Sequence, residues 1–351
     1  MYNITIGMDL GDKKHQIHIL DKDGETIKVC RISNTVKTIE DFFNQYPESQ
    51  VAIEASPHSP WISRLLEKRV AKVLVGNPRK LRLIWDSDKK DDIRDAEMLA
   101  RIARFDVKLL YPIKHRDEQG QADRSLLKAR DILVKTRTSL ILHVRGSVKS
   151  MGGRVATCSS ASFHRNAAEC IPDILKLALM PILEQIEDIS KKISAYDKKI
   201  KEISQARYPV TELIQQVGGV GPVTALAYVV TIEDPIRFQK SRDVGPYLGM
   251  TPRRDQSGES DKQLRITKAG DRYLRRLLVQ SAQYILGAFG EDSNLRRFGL
   301  KIAERGGKNA KRRAVVAVAR KLAVLLHRLW LTGEIYDPLY KPTRVSVQLA
   351  A

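Results

Sequence analysis

The sequence is poor in the features that tether a chain outside the cytoplasm. It has only three cysteines, Cys30, Cys158 and Cys170. They show neither CxxC nor Cys/His spacing, so a disulfide framework or a zinc ribbon is not expected. No apolar run approaches the roughly 20 residues that span a bilayer. The opening MYNITIGMDLG has no basic stretch followed by a long apolar one, so no signal peptide is expected and a cytoplasmic location is. Acidic residues are the other shortage. There are 41 Asp and Glu against 61 Lys and Arg, a formal charge of +20 in 351 residues. Such an excess calls for a polyanionic partner, nucleic acid before a membrane surface.

The rest of the composition is ordinary, and the length allows two or three domains. The first 110 residues alternate short β-patterned runs with helical ones. Strands are expected over 4–10, 16–20 and 26–30, with Asp23-Gly24 as a hairpin turn between the last two. Further strands are expected at Gln50–Glu54 and Val70–Val75. Helices are expected near Ile39–Tyr46, Trp61–Lys68 and Asp92–Ala103. Three antiparallel strands followed by alternating strands and helices imply a mixed α/β sheet, an order used by ribonuclease H-like folds and by actin-like ATPases. The expected divisions are an α/β domain over 1–113, a helical region over 114–207, a mainly helical domain over 208–340 and a tail over 341–351.

In the middle region Ala122–Met151 reads as one long helix ended by Gly152-Gly153. Beyond it, Ile182, Ile186, Ile189, Ile193, Tyr196, Ile200 and Ile203 are spaced 4-3-4-3-4-3. That is the a/d seam of a coiled coil, within or between chains.

Four carboxylates stand out in the first region. Asp9 lies on the first strand, Glu54 closes a later one, and Asp92 and Asp95 share one face of a helix start. Grouped together they would repel unless a cation lay between them. A hard divalent ion with oxygen ligands, Mg²⁺ above all, meets that need, and a pair of ions suits phosphoryl transfer. Alternatively, Asp91 or Asp92 serves only to cap the helix.

The third region opens with a helix-hairpin-helix pattern, Leu213 to Ala225, in which Gly219 and Gly221 let backbone N–H groups approach a phosphate. From Arg253 to Arg328 there are 19 Lys and Arg against 7 Asp and Glu, a local net charge of +12. The candidate phosphate contacts are Arg253, Arg254, Lys268, Arg272, Arg275, Arg276, Lys308, Lys311, Arg312 and Arg313. Within this stretch a polar loop carries Gln256-Ser257-Gly258. Its hydroxyl is a possible nucleophile for phosphorus, with the neighbouring arginines against the developing charge.

Read in order, these motifs resemble the DEDD transposases of the insertion-sequence one-ten class, the bridge-RNA-guided recombinases, including their eleven-eleven subgroup. The resemblance rests on Gly7-Met8-Asp9-Leu10-Gly11, Ile53-Glu54-Ala55-Ser56 and Lys90-Asp91-Asp92-Ile93-Arg94-Asp95-Ala96. It continues through the Val217–Pro222 hairpin, Gly249-Met250-Thr251-Pro252-Arg253, Gln256-Ser257-Gly258 and Ile266-Thr267-Lys268-Ala269-Gly270-Asp271. Asp91 stands where that family usually has Thr, and the spacing to Asp95 favours Asp92 as the ligand.

The resemblance implies a RuvC-like catalytic domain, a coiled-coil linker and a C-terminal transposase domain. It implies that Asp9, Glu54, Asp92 and Asp95 hold Mg²⁺ and that Ser257 carries a phosphoserine link to DNA. The carboxylates of one protomer would meet the serine of another, so a homo-oligomer, dimer or tetramer, is expected. Donor and target DNA would be chosen by pairing with a structured RNA, in a prokaryotic cell and at the nucleoid when active. Three rivals remain at this level: a RuvC-like, metal-dependent structure-specific endonuclease, an actin-like ATPase, and a non-enzymatic nucleic-acid scaffold.

Overall fold

A computed structural model describes residues 2–81, 91–257 and 260–340, with the side chains of 257, 260–263 and 308 also outside the description. The chain forms two compact units, Met1–Asp117 and Glu118–Ala351.

The first unit contains strands β1 (Thr5–Asp9), β2 (Lys14–Leu20) and β3 (Thr26–Ser33), helix α1 (Val36–Phe43), β4 (Gln50–Glu54), α2 (Ser59–Leu66), β5 (Lys72–Gly76) and α3 (Asp92–Phe105). The sheet order is β3-β2-β1-β4-β5. The first three strands are antiparallel, while β1–β4 and β4–β5 are parallel. Alternation along the strands separates two cores. Ile6, Met8, Val51 and Ile53 face Phe43, Ile62 and Leu66 of α1 and α2. Ala52 and Leu74 face Leu99, Ile102 and Ala103 of α3.

Where α3 crosses the sheet the side chains are small. Gly7 and Ala52 are register partners on β1 and β4, and a Cβ on Gly7 would stand 1.9 Å from the Ala96 carbonyl oxygen. The expected Asp23-Gly24 turn is formed, with Gly24 at φ +89° and Asp21 Oδ1 accepting from the backbone N–H of Asp23 and Glu25.

The second unit begins with a helical hairpin, α4 (Glu118–Ser150) and α6 (Asp173–Arg207), with short α5 (Phe163–Ala168) packed near its far end. The two long helices are antiparallel. Arg207 pairs with Asp123 at 3.0 Å, Arg130 with Asp197 at 2.5 Å, and Arg137 donates to Ser190 at 3.2 Å. Ile186, Ile189, Ile193, Ile200 and Ile203 are all buried on α6. The heptad seam therefore packs against α4 of the same chain, the within-chain form of the expected coiled coil.

The chain continues through α7 (Val210–Ile214), α8 (Pro222–Ile232), α9 (Val244–Tyr247), strands β6 (Pro252–Ser257) and β7 (Ser260–Ile266), and helices α10 (Arg272–Leu286), α11 (Asn294–Ala303) and α12 (Gly307–Thr332). Helix α8 is apolar and buried on nearly every side, and its core also takes in Leu127, Ile200 and Ile203 of the long helices. The expected polar loop around Ser257 is instead a strand of the β6–β7 hairpin, pairing Arg254 with Gln263, Asp255 with Lys262 and Ser257 with Ser260. Among the described residues no helix is long and apolar enough to cross a membrane.

Candidate functional site

Asp9 is the last residue of β1 and Glu54 the last of β4. These strands are parallel neighbours with Met8 opposite Ile53, so both acids leave the sheet at the same edge. Helix α3 runs antiparallel to them. Gln50, at the start of β4, donates to Ala103 O at 3.0 Å, whereas Gly7 lies beneath Ala96 and Ala100. From Gly7 to Asp9 the strand advances about 6.6 Å, which four helical residues cover in about 6 Å. The first turn of α3, with Asp92 and Asp95, is thereby level with Asp9 and Glu54.

Asp91, not Asp92, is the cap: its Oδ1 accepts from Ile93 N–H at 3.1 Å. Asp92 is exposed, and Asp9, Glu54 and Asp95 are half-buried. None of these three is without a polar partner. Four carboxylates are the right kind of donor for a hard cation. Among the described residues, however, no three Asp, Glu, His or Cys side chains are gathered closely enough to hold a metal ion. The backbone brings the four acids to one edge. Lys90, part of the same motif, lies outside the described residues.

The loops that follow the two strand-end acids are tied together, through contacts that sequence reading missed. His58 Nε2 is 2.9 Å from Asp12 Oδ1, and Trp61 Nε1 donates to His58 Nδ1 at 3.4 Å. An indole N–H can only donate, so Nδ1 accepts and Nε2 carries the proton to Asp12. Ser59 Oγ receives the Ser56 N–H at 2.9 Å, lies 2.8 Å from Ser56 O, and has His115 Nε2 at 2.8 Å. Burial, with the Arg64 and Arg116 charges beside it, holds the His115 pKa below its usual value. These contacts join positions 46 and 56 residues apart, which no local pattern could have revealed.

Ser257 ends β6 opposite Ser260 near the hairpin tip, while Gly258 and Glu259 lie outside the described residues. The base of the hairpin is a clasp, and its two glycines explain the motifs around it. Gly249 has φ +67° and Gly270 φ +73°. A Cβ on either would stand 2.2 Å from Ala269 O or 2.0 Å from Tyr247 O. Thr267 and Lys268 donate from the backbone to Thr251 O and Gly249 O, at 2.9 and 3.0 Å. Arg275 Nη1 closes the clasp on Leu248 O at 2.8 Å and Ala269 O at 2.7 Å. Asp271 caps α10 by accepting from Leu274 N–H at 2.8 Å, and Arg124 holds its other oxygen.

The candidate phosphate-binding residues divide. Arg253, Arg254, Lys268, Arg272, Lys311, Arg312 and Arg313 are exposed. Arg275 is engaged in the clasp, and Arg276 is ion-paired with Asp131 of α4. The Lys308 side chain lies outside the described residues. At the helix-hairpin-helix, Gly219 has φ +83° and packs against α10, with a Cβ reaching within 3.0 Å of Ser281 O. Gly221 is the N-cap of α8, and the space beside it is open.

Two family models match this chain. One, for DEDD-type IS110 transposases and described as Transposase, covers residues 6–151; the other, described as Transposase IS116/IS110/IS902 family, covers 211–298. A putative transposase y4qE of Sinorhizobium fredii is 35% identical over 79% of this chain and 70% of its own length. The chain belongs to the IS110 family of transposases. A probable family 20 transposase of Pseudomonas aeruginosa is 27% identical over 95% of this transposase and 98% of itself. The transposase for insertion sequence element IS1111A of Coxiella burnetii is 26% identical over 94% and 90%. The first family match contains all four carboxylates and the second contains Ser257, so both groups fall in the parts that define the enzyme as a DNA transposase.

Proposed function

We propose that this transposase cuts and rejoins donor and target DNA with Asp9, Glu54, Asp92 and Asp95 as holders of Mg²⁺ and Ser257 as the nucleophile. The observation that carries the reading is the shared edge: two strand ends and one helix start deliver four acids to one place. The strand order, with three antiparallel strands followed by parallel ones, supports a RuvC-like, ribonuclease H-like domain over 1–113. We assign residues 114–207 as the helical linker, 208–340 as the serine domain and 341–351 as a tail.

Bound Mg²⁺ would supply charge neutralisation to the phosphate and to the attacking and departing oxygens. Ser257 Oγ loses its proton and forms a bond to phosphorus as the bond to one DNA oxygen breaks; that oxygen takes up a proton and leaves as a hydroxyl. Rejoining runs the same steps backward with the hydroxyl of another strand. The phosphoserine ester keeps the bond energy between the two events. The arginines of β6, Arg253 and Arg254, are exposed on the serine's own strand and are suited to the negative charge of the pentacoordinate phosphorus.

The acids and the serine belong to different units of the chain, which leaves them free to meet across protomers in a dimer or tetramer. A structured guide RNA fits the net charge of +20, since pairing would then choose the DNA and the protein need only hold backbones. The deciding experiment is Ser257→Ala with a labelled donor end. Loss of both recombination and the covalent protein–DNA adduct is expected. Unchanged strand cleavage would replace this reading with that of a water-using, RuvC-like endonuclease. Asp9→Asn should abolish cleavage and weaken calorimetric Mg²⁺ binding while DNA binding persists.

A further inference from the structure

The second unit contains a groove of about 1210 Å³ between α11, α12, the segment before α9 and the chain after α12. The floor is apolar, with Leu295, Val324, Leu325 and Leu329, and Ile335 forms an 82%-exposed lip. Among the described residues the rim is cationic: Lys240, Arg242, Arg320, Lys321 and Arg328 oppose Glu334 and Asp337. Arg328 is committed to Glu334 at 2.7 Å and stacks 4.5 Å over Tyr340, while Lys240, Arg242, Arg320 and Lys321 are exposed.

Both walls are held in place. On one side His327 lies 3.0 Å from Ser241 Oγ and 2.9 Å from Pro235 O, fixing the segment that bears Lys240 and Arg242. On the other, Asn294 donates from its backbone to Pro338 O at 2.8 Å and from its side chain to Tyr340 O at 2.7 Å. Tyr336 N–H donates to Gln216 Oε1 at 2.9 Å. The groove is therefore preformed.

We propose that this groove binds a single strand of nucleic acid, with unpaired bases on the apolar floor and phosphates on the Lys240–Arg242–Arg320 rim. An apolar floor offers nothing to a base already stacked and paired in a duplex, whereas it can receive the face of any unpaired base. The cations match a phosphate backbone in sign, and Tyr336 and Tyr340 provide rings at one end. The inference rests on the transposase acting on nucleic acid; it does not depend on the carboxylates or Ser257.

The test uses the full chain in EDTA, so that no cleavage intervenes. Fluorescence anisotropy would follow oligothymidylate and oligouridylate of about 12 nucleotides and a duplex of the same length. Arg242→Ala with Arg320→Ala should weaken single-strand binding about tenfold and lower the salt slope by about 1.4, for two phosphate contacts. Val324→Trp, which fills the floor without changing charge, should weaken it about tenfold at an unchanged slope. Ile335→Ala, at the exposed lip, should cost about threefold and serves if Val324→Trp melts early. Duplex binding should change less than about twofold throughout. Loss confined to one of the two oligonucleotides identifies DNA or RNA as the natural strand. Unaltered single-strand binding in both Val324→Trp and Ile335→Ala overturns the proposal, as does an equal loss of duplex binding. Because no step needs metal or a covalent link, either result leaves the proposed strand-exchange chemistry to be judged separately.

Discussion

Gly7 lies so close beneath Ala96 that a Cβ built on it would meet the Ala96 carbonyl oxygen at 1.9 Å and the Ala100 nitrogen at 2.6 Å. This contact, more than any feature of the acids themselves, sets the height of α3 above the sheet. It thereby sets the distance from Asp92 and Asp95 to Asp9. Gly7→Ala must push backbone away from backbone, for no flexible side chain is there to yield. A loss of about 3 kcal/mol is expected, the upper end of ordinary overpacking. Thermal unfolding should show it, and transposition should fall even at temperatures where the variant is folded.

Asp91 and Asp92 are adjacent but should respond differently to substitution. Asp91 caps α3 through its bond to Ile93 N–H, so Asp91→Ala should cost about 1 kcal/mol of stability. Recombination by Asp91→Ala should persist once assayed below its melting temperature. Asp92→Ala removes no cap and should leave the melting temperature near the parent's while abolishing strand cleavage. An inactive Asp91→Ala together with an active Asp92→Ala would exchange the two assignments.

Ile193 is 4% exposed in the seam between α4 and α6. A carboxylate there is buried without a partner, and Ile193→Asp should cost about 4 kcal/mol. Because the seam closes within one chain, the melting temperature of the variant should not vary with protein concentration through this contact. A marked rise in melting temperature with concentration, absent from the parent, would show that the seam also pairs between chains.

The strands and helices that position the acids were legible because their apolar residues repeat with a clean period. β1 alternates, α3 carries Ala96, Leu99, Ala100 and Ala103 on one face, and α6 carries its isoleucines in heptads. The β6–β7 hairpin was not legible. Arg253, Arg254, Asp255 and Gln256 are exposed in succession, so neither face of β6 has an apolar residue to mark it. The partner of the isoleucine seam was hidden for another reason: a heptad repeat states that a face is covered and does not say by which helix. Contacts such as His58–Asp12 depend on where two loops emerge from adjacent strands. The sheet order decides that, and residue types nearby in sequence do not.

Acid should weaken the first unit. Burial lowers the pKa of His15, of His18 and of His115, partly opposed at His15 by Asn34 and at His18 by Glu97. An unfolded histidine titrates near 6.5. Below that value the unfolded chain binds protons that the folded one refuses, so stability is complete above about pH 6.5 and declines as pH falls through the lowered folded values. The melting temperature should drop as the pH falls below about 6.5. His115→Gln, which can keep a donor near Ser59, should flatten part of that drop. A melting temperature that held steady or rose on acidification would contradict the assignment.

Arg272 and Arg275 share one helical turn of α10 and should separate two kinds of defect. Arg275 donates to Leu248 O and Ala269 O, holding the clasp from which the Ser257 hairpin projects. Its replacement by Ala strips two carbonyls of a charged donor and should cost about 2 kcal/mol. The hairpin should then become more accessible to protease near 252–266, with recombination falling through misplacement of Ser257. Arg272 is exposed. Arg272→Ala should leave melting and protease resistance unchanged, weaken DNA binding, and reduce the salt slope by about 1 if one phosphate contact is lost. A reversed outcome, with Arg275→Ala changing only the salt slope, would mean that the clasp opens when DNA binds and that Arg275 then turns from the two carbonyls to a phosphate.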